Sequence, residues 1–168
     1  MKYKTKYLEL KRKLIGGAKP EPYCPLNNNL EVRFNQNPIT PCQKLPLSNV
    51  QTEPQILFRN IDLFQIQSDQ LYTMIMVDPD APSRDKPTYI NVLHWLIINT
   101  NQTVIPFKPS APPVGSGYHR YYFYLFEQKE KIKSELDSSK RLYFDLNKFV
   151  TEHNLQQIAC IYYETSHD

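Results

Sequence analysis

The 168-residue chain is long enough for one domain with a sizeable core and too short for two ordinary ones. With 12 Tyr and 8 Phe but only 4 Gly, its composition excludes low-complexity or disordered sequence. Residues 1–19 carry seven of the 20 Lys and Arg against one acid, Glu9, so residues 20–168 hold 13 bases and 16 acids. A nucleic-acid groove needs its basic cluster on the folded part, and that function is disfavoured.

The chain opens on a leader, residues 1–19. Tyr3, Tyr7, Leu10 and Leu14 recur at helical spacing among Lys2, Lys6, Lys11, Arg12 and Lys13. This predicts a short basic amphipathic helix stopped by Gly16-Gly17. No apolar stretch here is long enough for a signal peptide or a membrane span. The plain reading is a solvated helix and a flexible linker. The sharper readings are a contact with an anionic membrane through residues 1–15, a partner-binding helix, or a leader cut after Gly17. Leaders of this Tyr/Lys/Leu type ending in Gly-Gly resemble those on proteins of large DNA viruses.

Residues 20–168 read as a single β-rich domain. All 14 prolines fall between Pro20 and Pro113, which leaves no room there for a long helix. Runs of β-branched and aromatic residues between turn residues predict strands at 30–34, 55–59, 71–77, 92–99, 120–126 and 158–164. One short late helix is expected, capped by Asp145 and running to about His153, with Leu146, Phe149 and Val150 on its apolar side. Cys24, Cys42 and Cys160 lack CxxC or Cys/His metal spacing, so reduced thiols in a cytoplasmic protein are expected, with Cys160 acting as a small buried hydrophobe.

Two blocks carry chemistry. The first, Asp78-Pro79-Asp80-Ala81-Pro82-Ser83-Arg84, sets two carboxylates just past an apolar strand. Extended geometry would point both the same way, and close carboxylates raise at least one pKa unless donors surround them. His94, inside the apolar run 91–98, needs a polar partner and is a natural donor to one of those acids. The second block, Gly115-Ser116-Gly117-Tyr118-His119-Arg120-Tyr121, follows Pro112-Pro113. Alternation places His119 and Tyr121 on one face and Arg120 and Tyr122 on the other, and a loop of small residues leaves backbone N–H groups to meet an anion. Singly, each feature is ordinary turn or core chemistry. Their conjunction at strand ends points to one polar cleft.

The two blocks, with His94 between them, resemble the phosphatidylethanolamine-binding protein family, which includes the Raf kinase inhibitor proteins and plant flowering regulators. The similarity runs from about Leu26 to Glu164. It implies a mostly β fold with minor α: a large central antiparallel sheet, a smaller flanking sheet and an anion pocket at one end. Asp78, Asp80, Tyr89, His94, Pro112, His119 and Tyr121 match the family's pocket positions, and Gly115 and Gly117 add the loop amides. The resemblance implies no metal, no cofactor and no catalytic residue. Many animal members continue past the last strand into a C-terminal helix, whereas this chain stops at Asp168, so a more open pocket is expected.

The function so implied is a non-enzymatic regulatory module that binds a phosphate-bearing small molecule or a phospholipid head group. It would act by contact on a protein kinase or other signalling protein, in the cytoplasm or at the membrane periphery. One alternative is a hydrolase using Asp78 and Asp80 with His94 and His119, although no nucleophile elbow, HExxH or phosphate-gripping lysine loop is visible. Another is a pure interaction module with a vestigial pocket. Repulsion between a bound anion and two ionised carboxylates has to be offset. Asp78 is therefore expected to orient His119 or His94, with anion affinity falling as pH rises through the histidine range.

Overall fold

The protein is described as a computed structural model covering Cys24 and residues 29–67, 69–89, 91–134 and 136–167. The basic leader, with its expected helix and membrane contact, lies outside the described residues.

Ten strands, one α-helix and two short 3-10 helices (Leu47–Val50 and Leu63–Gln65) make up the described chain: β1 (Leu30–Phe34), β2 (Asn37–Pro38), β3 (Gln43–Lys44), β4 (Gln55–Phe58), β5 (Ile61–Asp62), β6 (Leu71–Asp78), β7 (Val92–Ile98), β8 (Gln102–Ile105), β9 (His119–Gln128), α1 (Leu146–Glu152) and β10 (Gln156–Thr165). The small sheet has the order β2-β1-β4-β5 and the large one β3-β10-β9-β6-β7-β8. Every pairing is antiparallel except that of β3 with β10 at the edge of the large sheet. All six predicted strands are present. The four that sequence reading passed over are edge or hairpin pieces such as Asn37-Pro38 and Gln43-Lys44, too short to carry an alternating pattern.

Period-two alternation along the central strands feeds two cores. Met74, Met76, Trp95, Ile97, Tyr121, Phe123, Leu125, Ala159, Ile161 and Tyr163 pack against Leu30, Val32, Ile56 and Phe58 of the small sheet. Ile75, Val77, Tyr122, Tyr124, Phe126 and Cys160 form the opposite face, covered by Leu146 and Phe149 of α1. The helix begins where expected, because the Asp145 side chain accepts a hydrogen bond from Lys148 N at 2.9 Å.

One expectation fails. Cys24 and Cys160 form a disulfide with their Cα atoms 5.3 Å apart, so Cys160 is a cross-link and not a lone buried thiol. The pair is separated by 136 residues, and only the folded position of β10 brings the two together. Cys42 remains a free, exposed thiol. Oxidised pairs belong mainly to oxidising compartments, so the cysteines give no support to the expected reducing cytosol. No helix among the described residues is long and apolar enough to cross a membrane.

Candidate functional site

Four central strands deliver polar residues to one end of the large sheet. Asp78 closes β6 on the face that Met74 and Met76 turn toward the small sheet. His119 opens β9 on the same face as Tyr121, and the β10 residues opposite them are Thr165 and Tyr163. His94 reaches this face through an irregularity. Met76 pairs with Trp95 and Val77 pairs with Leu93, so His94 is the extra residue of a bulge in β7. The bulge lets His94 and Trp95 both face the inner side while Leu93 joins the outer core. The result is a His94 ring edge-on to Tyr121, centroids 5.2 Å apart.

The centre of the cluster is a carboxylate–imidazole pair. His119 Nδ1 stands 2.8 Å from Asp78 Oδ2, and its Nε2 stands 3.0 Å from Ser116 Oγ. Ser116 donates its one hydroxyl proton to Pro113 O at 2.6 Å, so its oxygen accepts from His119 Nε2–H, and with Nδ1–H donating to the Asp78 carboxylate both ring nitrogens act as donors in this arrangement. The second oxygen of Asp78 accepts from Asp80 N at 2.8 Å. Asp78 therefore orients His119, one of the two partners expected.

The two carboxylates do not share a face. Extended geometry ends at Asp78, and the turn closed by the Asp80 N–H bond swings Asp80 to the far side of the sheet. There the Arg120 backbone N and Nε both donate to Asp80 Oδ2 at 2.9 Å, and Nη2 donates to Oδ1 at 2.6 Å. Arg84 Nε adds a contact at 3.5 Å, and its Nη2 holds Glu164 at 2.9 Å. Burial pushes the Asp80 carboxyl up, but the hydrogen bonds and charge of Arg120, with Arg84 behind it, outweigh this and hold it below the ordinary range. Asp80 is thus a saturated structural anion that keeps the Asp78 loop on the sheet. Neither carboxylate stands uncompensated before an incoming anion.

His94 makes no bond to a carboxylate either. Its Nδ1–H donates to Lys108 O at 2.8 Å, which leaves Nε2 as the acceptor. Burial is the main cause that pushes its pKa down, so the ring is neutral around neutral pH. Tyr121 and Tyr163 stack with centroids 5.4 Å apart, and Tyr163 Oη lies 2.7 Å from Ser110 Oγ. Burial, with Asp78 nearby, pushes both phenols well above the ordinary range, so both stay protonated.

Of the remaining expected residues, Pro112 is buried and Tyr89 packs edge-on against Tyr143, centroids 5.7 Å apart. Gly115 and Gly117 adopt φ of +73° and +75° with no atom within 4 Å of an added Cβ, so the backbone conformation and not crowding demands glycine. The Ser116 N–H is committed to Pro113 O at 3.1 Å, which removes one amide from those expected to meet an anion. Ser110, Ser116, Tyr163 and Thr165 were missed. For Tyr163 and Thr165 the signal is strand register, which sets them opposite Tyr121 and His119.

The cluster is closed, with Asp78 3% exposed and His119 0%. Two open clefts elsewhere, one beside Phe34 and Ile39 and one beside Ile66 and Thr100, include none of its residues. Among the described residues no three His, Cys, Asp or Glu are grouped to hold a metal ion.

Fold and cluster together define a two-sheet β module with a buried carboxylate–imidazole pair under a glycine-bounded loop. The phosphatidylethanolamine-binding protein family model matches residues 27–163, and the chain belongs to that family. It is 37% identical over 147 residues to the phosphatidylethanolamine-binding protein homolog R644 of Acanthamoeba polyphaga mimivirus, across 83% of this chain and 99% of that one. It is 33% identical over 120 residues to the 26 kDa secreted antigen of Toxocara canis, covering 64% of this chain but only 46% of that protein. Among solved structures it is similar to carboxypeptidase Y inhibitor complexed with its cognate proteinase, with 26% identity, 83% coverage of each chain and a TM-score of 0.62. Membership supports a lipid- or anion-binding regulatory module in general terms.

Proposed function

We propose that this chain is a non-enzymatic binding module that takes a phosphate group, free or on a phospholipid head group, at His119 and regulates a partner protein by contact. The observation that carries this is the His119 imidazole, fixed by Asp78 on one side and presenting Nε2–H to a hydroxyl oxygen on the other. An anion oxygen in place of Ser116 Oγ would meet the same donor, with Asp78 compensated behind it. Asp80 is fully engaged by Arg120, which argues against the hydrolase alternative, because an acid/base pair needs both carboxylates at the reacting group. The similarity to a carboxypeptidase Y inhibitor supports regulation through protein contact, with a kinase or another signalling protein as the further class of target.

Calorimetric titration with inorganic phosphate and with glycerophosphoethanolamine tests the pocket. His119→Ala is expected to weaken phosphate binding by about tenfold or more, the loss of a hydrogen bond to a charged group. Unchanged affinity in that variant overturns the reading.

A further inference from the structure

Thr165 closes β10 directly across from His119, on the face that also carries Tyr163 and Tyr121. It is 0% exposed, and its Oγ1 has no hydrogen-bond partner. Directly opposed residues on neighbouring antiparallel strands hold their Cβ atoms about 4.5–5.5 Å apart, so the Thr165 side chain stands beside that of His119 on the inner face. The other polar groups of the cluster have partners of their own: Asp78 has His119 and the Asp80 amide, Ser116 has Pro113 and His119, and Ser110 has Tyr163. A buried hydroxyl without a partner is costly, and valine would fill the same shape without that cost. Thr165 thus keeps, at a cost in stability, a hydroxyl that no described residue pairs with, directly across from the His119 imidazole.

We infer that Thr165 is a ligand-contacting residue, whose hydroxyl donates to one oxygen of a bound phosphate group while His119 Nε2–H donates to another. This rests on the pocket reading above and extends it. The ligand class follows from the arrangement. The two donors belong to neighbouring strands, and a phosphate with several non-bridging oxygens satisfies both at once. Seating it requires the Ser116 hydroxyl to leave His119 Nε2, and Ser116 stands on the half-exposed turn beside Val114, which is 74% exposed.

The test is calorimetric titration of inorganic phosphate into the full chain and into Thr165→Val, Thr165→Ser and His119→Ala, with thermal unfolding of each without ligand. Thr165→Val is expected to bind phosphate about tenfold more weakly while melting at or above the wild-type temperature, because the orphaned hydroxyl is gone. Thr165→Ser, which keeps the hydroxyl, is expected to stay within about threefold of wild type. If Thr165→Val folds poorly, Thr165→Ala serves as the second hydroxyl-free variant. Wild-type affinity in a folded hydroxyl-free variant, with His119→Ala still impaired, overturns the Thr165 assignment alone. Absent binding by wild type, or full binding by His119→Ala, overturns the pocket reading and the Thr165 assignment with it.

Discussion

Asp78 and Asp80 stand two residues apart in one motif and end on opposite faces of the large sheet. On the inner face, Asp78 meets a single imidazole whose other nitrogen touches only a loop hydroxyl. On the outer face, Asp80 receives three hydrogen bonds from Arg120 and a further charge from Arg84. The same side chain is an orienting group in one place and a bolt in the other. The difference lies in what each partner has left to offer. A guanidinium fully turned onto a carboxylate has little capacity for a ligand, whereas an imidazole between a carboxylate and a displaceable hydroxyl retains a donor.

Substitution of the two acids gives the sharpest break in this comparison. Removing one partner from a buried ion pair costs about 3–5 kcal/mol, and Arg120→Ala or Asp80→Asn is expected to lose stability of that order in chemical denaturation. Asp78→Asn retains an oxygen for the Asp80 amide and loses the charge facing His119, so its main effect should appear in phosphate titration and not in the unfolding midpoint. Equal loss of stability in Asp78→Asn and Asp80→Asn would erase the distinction between the two faces.

The disulfide offers a second, smaller break. Cys160 projects into the outer core, while its strand neighbours Tyr163 and Thr165 face inward. Cross-linking residues 136 apart stabilises mainly by constraining the unfolded chain, typically by about 2–4 kcal/mol. Cys24→Ser is therefore expected to lower the unfolding free energy by about that amount and to leave phosphate affinity unchanged. A variant that lost affinity as well would mean that the outer face sets the geometry of the inner one.

Much of this was legible in the chain. The central strands declare themselves because each is a run of β-branched and aromatic residues between turn residues, and the Asp145 cap because the apolar side of α1 follows it at helical spacing. The pairing of His119 with one of the acids was half-read. The far-side position of Asp80 was not, because strand alternation stops where the Asp78 carboxylate takes the Asp80 amide, and nothing in Asp-Pro-Asp marks that residue as the end. His94 bonds Lys108 O and not the expected carboxylate for a related reason. Its face is set by a bulge, a property of two strands that neither sequence shows alone, and its donor is taken by a carbonyl 14 residues on. The Cys24–Cys160 link and the place of Thr165 opposite His119 are likewise consequences of assembly.

The smallest expected effect separates the two faces by pH. His94, on the inner face, has its pKa pushed below the ordinary 6.5 by burial. The unfolded chain then takes up a proton before the folded one does, and stability falls as pH drops below about 6.5, by up to about 1.4 kcal/mol per pH unit for one proton. Asp80, on the outer face, has its pKa held below the ordinary 3.8, so its contribution is complete above that value and is lost only as pH falls through its lower folded pKa. Tyr121 and Tyr163, raised above the ordinary 10.0, stay protonated in the fold after the unfolded chain has ionised, and stability falls again above about pH 10. Unfolding midpoints measured from pH 3 to 11 should therefore form a plateau between about 7 and 10, with a first descent assigned to the inner face and a second, more acidic one to the outer. His94→Asn retains a donor for Lys108 O and removes the titrating ring, so the first descent should flatten while the second stays. A descent between pH 5 and 6.5 that survives this substitution would trace the acid sensitivity of the inner face to a group other than His94.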